Sequence, residues 1–156
     1  SGASCSAAVF RPGSGLWAVR SLPRIYFGGS RDHPVPGYYG SSGTALAAVY
    51  RAGSGLWAVR GITRLYFGQH GDEPVPGDYP GAGSWIPGIY RPSSGLWAIR
   101  GITRFYFGAS SDLAAPAAYG GSADLPALFR SAGGLWAVKD YTRFSFGSAG
   151  DLPLLR

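Results

Sequence analysis

Residues 46–79 read LAAVYRAGSGLWAVRGITRLYFGQHGDEPVPGDY, and residues 88–112, GIYRPSSGLWAIRGITRFYFGASSD, restate most of that stretch with conservative changes. Tryptophan marks the period: Trp17, Trp57, Trp97 and Trp136 lie 40, 40 and 39 residues apart, as do Gly28, Gly68, Gly108 and Gly147. Self-similarity at this spacing is the signature of a repeat architecture, in which one supersecondary unit buries its apolar face only against a neighbouring copy. The chain therefore holds four copies of one unit.

Within a copy the local pattern is β. Residues 47–51 form a short apolar run, Gly53, Ser54 and Gly55 supply a turn, and residues 56–60 form a second run rich in Trp and Val, so the pair reads as a hairpin. Gly61, Ile62 and Thr63 turn the chain into residues 64–67, and Pro74, Val75 and Pro76 make a short fourth extended piece. Gly or Pro interrupts every segment before a helix could propagate. Near-continuous apolar runs such as Leu16-Trp17-Ala18-Val19 need cover on both faces. The expected fold is all-β and propeller-like, with four tandem four-stranded repeats of about 40 residues. It forms a single domain over residues 1–156, with units near 1–30 plus 150–156, 31–70, 71–110 and 111–149. A linear stack would cover the strands equally well, but its end faces would want polar caps, and neither end repeat has one.

The two ends of the sequence are complementary. Residues 1–10 align with 41–50, and residues 150–156, GDLPLLR, align with 71–77, GDEPVPG. Joined, they complete one unit. In a closed ring Leu152, Leu154 and Leu155 would pair beside Ala7, Ala8, Val9 and Phe10; the same strand can instead complete a neighbouring molecule, and the sequence leaves both open. The Ser1 start implies that something upstream was removed or not included.

Residues 71–108, GDEPVPGDYPGAGSWIPGIYRPSSGLWAIRGITRFYFG, resemble the FG-GAP or VCBS-type repeats of bacterial extracellular proteins, and the resemblance extends over all four units. It implies a β-propeller and an extracellular or cell-surface location. It also implies a calcium loop of the form D-x-D-x-D-G after the PVPG strand. Here the ligand places hold Asp78, Pro80, Ala82 and Ile86 in one unit and Tyr38, Gly40, Ser42 and Leu46 in another. The fourth unit has the shortened AYGGSADL, and the first offers only Ser6. Calcium needs about six to eight oxygen ligands, several of them charged. The loops are therefore expected to hold no metal and to rely on turn chemistry and packing.

Composition excludes further classes. With 46% hydrophobic and 15% aromatic residues, the 26 glycines and 12 prolines read as turns between packed strands rather than as disorder. No apolar run approaches the roughly 18 residues of a membrane span, so no membrane insertion is expected. Cys5 is the only cysteine and cannot form an internal disulfide. His33 and His70 lack partners at metal-ligand spacing, and no cofactor is expected. The formal net charge is +6, and each unit carries basic residues at matched positions, for example Arg51, Arg60 and Arg64. One acid per unit precedes the proline strand: Asp32, Asp72, Asp112 and Asp151. The arginines either form a surface for polyanions or pair with these aspartates and lay their stems over aromatic rings. Even spacing and the lack of a known module weigh against nucleic acid.

Trp17, Trp57, Trp97 and Trp136 sit in apolar strands and are expected to fill space between units. Trp85 breaks the repeat pattern in a loop and suggests a contact surface, and Tyr38, Tyr39, Tyr79 and Tyr119 join it as candidates for a contact or glycan face. Catalysis finds no paired carboxylates and no nucleophile with a base, and the chain reads as non-catalytic. The expected function is an extracellular structural or self-assembly protein, a surface or filament subunit whose main partner is itself. The alternative is a multivalent carbohydrate-binding, lectin-like propeller. Ser41, Ser42 and Thr44 in Gly-rich loops are candidate O-glycosylation sites, whereas N-glycosylation is excluded by the lack of Asn.

Overall fold

The hairpin inferred for the second repeat recurs in all four, as a computed structural model of the protein describing residues 6–154 shows. The first blade contains β1 (Ala8–Arg11), β2 (Leu16–Val19) and β3 (Ile25–Tyr26). The second contains β4 (His33–Pro34), β5 (Ala48–Arg51), β6 (Leu56–Val59) and β7 (Thr63–Tyr66), and the third β8 (Glu73–Pro74), β9 (Gly88–Arg91), β10 (Leu96–Ile99) and β11 (Thr103–Tyr106). The fourth contains β12 (Leu113–Ala114), β13 (Ala127–Arg130), β14 (Leu135–Val138) and β15 (Thr142–Ser145). Each blade is an antiparallel sheet with its strands in sequence order, and the four sheets are arranged as a propeller-like fold. The only helical element among the described residues is a 3-10 turn at Ser131–Gly133, and no helix is long and apolar enough to cross a membrane.

The turn inside each hairpin depends on glycine. Gly55 lies at φ 68°, its N–H donates to the Arg51 carbonyl at 2.9 Å, and a Cβ there would stand 2.3 Å from the Gly68 oxygen. Only glycine accepts both the left-handed backbone and this close approach. The Gly55 carbonyl in turn accepts from the Phe67 N–H at 2.8 Å, locking the third strand to the hairpin.

Blades pack by one rule applied three times. The Trp face of each blade covers the small aliphatic face of the next: Trp17 meets Val49 and Ala58, Trp57 meets Ile89 and Ala98, and Trp97 meets Leu128. In each blade an aromatic ring stands opposite the Trp across the hairpin, at 4.9 Å for Tyr50 with Trp57 and 5.1 Å for Tyr90 with Trp97. The indole N–H always donates to the carbonyl ten residues on, from Trp57 to Phe67 at 2.9 Å and from Trp97 to Phe107 at 3.0 Å. The polar edge of a large buried ring is thereby satisfied.

Of the two closures that the sequence leaves open for the chain ends, pairing within one molecule is not seen among the described residues. The first blade has three strands. Leu152 and Leu154 are 75% and 93% exposed, and residues 150–154 have no regular structure or strand partner. Cys5 and Leu155 lie outside the described residues.

Burial also sets the response to alkali. Desolvation pushes Tyr50 and Tyr90 up to about 12, with the carboxylates of Asp72 and Asp112 respectively acting in the same direction. Burial likewise raises Tyr39, Tyr79 and Tyr119. Above about pH 10 an unfolded chain ionises its tyrosines while the folded one keeps them protonated, so the native state binds more protons and stability falls as pH rises. Each such group removes up to about 1.4 kcal/mol per pH unit until its folded value is reached. Denaturant unfolding between pH 8 and 11.5 is expected to be flat at first and then to lose several kcal/mol above about pH 10. A flat profile throughout would contradict the burial of these hydroxyls.

Candidate functional site

Three of the repeated arginines, Arg51, Arg91 and Arg130, pair with aspartates that precede the proline strands. Asp32, Asp72 and Asp112 are buried, and each accepts two bonds from one guanidinium. Arg51 Nε and Nη2 donate to Asp32 at 2.7 and 3.0 Å, Arg91 to Asp72 at 2.6 and 3.0 Å, and Arg130 to Asp112 at 2.7 and 2.9 Å. Each aspartate also accepts from its own loop, from the N–H of Gly29, Gln69 and Ala109 at 2.9 Å. The paired carboxylate raises each of these arginines above its ordinary value. Fork-to-fork pairing of this kind fixes geometry as well as charge.

Of the candidate contact residues Tyr39 is buried, Trp85, Tyr79 and Tyr119 are half-buried and Tyr38 is exposed. Trp85 is half-buried at the junction of the second and third blades, packed on Gly37, where a Cβ would lie 2.2 Å from the indole. Its N–H donates to the Tyr38 carbonyl at 2.9 Å, and its ring meets Tyr38 and Tyr39 edge-on at 6.0 and 6.3 Å. Tyr39, Tyr79 and Tyr119 each donate to a carbonyl four residues earlier, Val35, Val75 and Ala115, at 2.7, 2.6 and 2.6 Å. These hydroxyls hold the loop to the strand, and of the five candidates only Tyr38 is classed as exposed. Sequence reasoning missed this because the glycine that makes room for the indole lies 48 residues away.

The loops that resemble calcium sites are closed by turn chemistry. The Asp78 carboxylate accepts from the N–H groups of Ala82 and Gly83 at 2.9 and 2.7 Å, and the Asp78 N–H donates to Asp124 at 2.7 Å. Among the described residues no three His, Cys, Asp or Glu side chains are grouped so as to hold a metal.

Two blade faces stay uncovered among the described residues. On the fourth blade Trp136 is only half-buried and Phe146 is 75% exposed, although Phe27, Phe67 and Phe107 at the same place are covered by the next blade. Phe144, stacked on Trp136 at 5.9 Å, is exposed as well. On the first blade Val9 is 63% exposed, although its equivalents Val49, Ile89 and Leu128 are buried. The first face is the Trp half of the internal junction and the second is the aliphatic half.

Between the third and fourth blades lies a cleft of about 530 Å³, lined by Tyr79, Phe105 and Tyr141 together with Asp124, Asp140 and Lys139. The Lys139 ammonium sits 5.0 Å from the Phe105 ring centre. In the preceding junction Trp85 stands where Asp124 stands here, as the matching bridges of Gly77 with Ile86 and of Ala117 with Leu125 show.

Compared with known proteins, the chain matches no family model, no curated protein and no solved structure.

Proposed function

We propose that the protein is a non-catalytic structural protein that joins copies of itself head to tail through its two uncovered faces. The observation that carries this reading is their complementarity. Trp136, Phe144 and Phe146 repeat the half-junction that Trp57, Leu65 and Phe67 form, and Val9 with Ala18 repeats the half formed by Ile89 and Ala98. Apolar end faces of a repeat stack normally carry polar caps. Here both ends are apolar, and each fits the other. A heterologous contact of this kind gives a ring if its rotation closes and a filament if it does not. An extracellular or cell-surface setting follows from the resemblance to FG-GAP or VCBS-type repeats.

Phe146→Asp tests the reading, because a side chain so exposed contributes little to the fold of one copy. Light scattering should show assemblies of the native protein and a single-copy mass for the variant, with unchanged unfolding midpoints in dilute solution. Equal masses for the two proteins would count against the Trp136 face as the joint.

A second reading, carbohydrate binding, is favoured by the cleft beside Tyr79, Phe105 and Tyr141, since aromatic rings with nearby carboxylates suit the apolar face and hydroxyls of a sugar. A glycan array separates the two readings: specific binding by a single-copy species supports the lectin, and no binding by an assembled species supports the structural role.

A further inference from the structure

We infer that residues 151–154 of one copy add the missing fourth strand to the first blade of a second copy, with Asp151 receiving the guanidinium of that copy's Arg11. The inference rests on the self-joining reading above and specifies the bonds by which it occurs.

Three internal examples define the rule. Every four-stranded blade receives its first strand from the segment that has just left the preceding blade. In the second blade His33 faces Tyr50 and Pro34 faces Val49. In the third Glu73 faces Tyr90 and Pro74 faces Ile89, and in the fourth Leu113 faces Phe129 and Ala114 faces Leu128. The next N–H, of Val35, Val75 or Ala115, then donates to the carbonyl of Ala48, Gly88 or Ala127 at 2.8 Å. Continuing the register, Leu152 faces Phe10, Pro153 faces Val9, and the Leu154 N–H donates to the Ala8 carbonyl. Proline suits the middle place, as Pro34 and Pro74 show, because a first strand at a sheet edge can spare that N–H.

Both partners are free to meet. Among the described residues Leu152 and Leu154 have no strand partner, and β1 has β2 on one side and an open edge on the other. An exposed edge of this kind is a template for an incoming strand, with main-chain bonds giving affinity and side-chain register giving specificity.

Charge points to the same pairing. Asp151 is set like its three counterparts, its carboxylate accepting from the Ser148 N–H at 2.7 Å. Those counterparts each take an arginine 18 or 19 residues further on. Arg11 holds the matching position in the first blade, and neither it nor Asp151 has an ion-pair partner among the described residues. The same step from one blade to the next that seats the strand also lays Val9 and Ala18 over Trp136 and Phe146.

Charge reversal tests the pairing. Arg11→Asp sets two aspartates against each other at the joint, and Asp151→Arg sets two arginines against each other. Each variant alone should show the single-copy mass by light scattering. An equimolar mixture should regain the native assembly, because each variant then meets its complement on a different chain. The Arg11 side chain is exposed and makes no hydrogen bond or ion pair among the described residues, so the unfolding midpoint of Arg11→Asp should match the native protein and serves as the control for folding. If both variants keep the native assembly, the strand and ion pair are not the joint, while the face-to-face reading stands. If the mixture stays at the single-copy mass, Asp151 and Arg11 do not meet between copies. A native protein that is itself single-copy at all concentrations overturns both readings.

Discussion

Replacing Trp97 with alanine is expected to destabilise the fold by about 3–5 kcal/mol. The indole is fully buried, lies between Tyr90 at 5.1 Å and Phe105 at 6.2 Å, and packs on Leu128 of the next blade. Its removal leaves a cavity walled by Tyr90, Phe105 and Leu128 that the strands on both sides prevent from collapsing, and it also leaves the Phe107 carbonyl without its 3.0 Å donor. Trp136→Ala is the internal comparison, since the same side chain there has no following blade to cover it. In dilute solution its cost should be clearly smaller than that of Trp97→Ala. In assembled protein the two costs should converge, because a second copy would bury Trp136. Urea unfolding of the two variants at low and high protein concentration checks both statements. A gap between the two costs that stays the same at every concentration would mean that nothing covers Trp136.

Arg91→Ala is the second large loss, again about 3–5 kcal/mol. Asp72 is almost entirely buried, and its two oxygens take Nε and Nη2 of Arg91 as well as the Gln69 N–H. Removing the cation strands a buried carboxylate that keeps only one donor, and a charge taken out of water without its partner is the costly case. The arginine itself is 25% exposed, so some water can enter, which limits the loss. Asp72→Asn with Arg91 intact should be milder, because an amide fills the same place without the buried charge. Thermal and denaturant unfolding of both variants measures the difference. An Arg91→Ala protein as stable as the native one would show that this ion pair is not what seats the proline strand.

Much of this architecture is legible in the sequence because the repeat states each rule four times. The period of Trp and Gly follows from comparing the copies, and the hairpin around Gly55 and the indole core follow from the pattern within each. The pairing of Asp32, Asp72 and Asp112 with arginine was one of two readings, and the choice needed the strand register, which brings residues 18 or 19 apart into contact. What Trp85 packs on is hidden in the sequence for a related reason. Its pocket is made by Gly37 in the preceding blade, and a glycine in a loop gives no sign of what will lie against it. The bonds of Tyr39, Tyr79 and Tyr119 are hidden because a hydroxyl four residues from its acceptor carbonyl looks the same in sequence as a free one. The ends are the most instructive case. Their complementarity is visible in the alignment of residues 150–156 with 71–77, but whether they meet within one molecule depends on the rotation between blades, which no residue identity records.

The most direct measurement is the mass of the native protein across a dilution series by light scattering, with negative-stain images of the concentrated sample. Head-to-tail joining predicts masses that rise with concentration in multiples of 16.3 kDa, and particles whose blades continue from one copy into the next. A constant mass of 16.3 kDa at every concentration would contradict it, since the Trp136 and Val9 faces would then remain open in a protein that has no use for them as a joint.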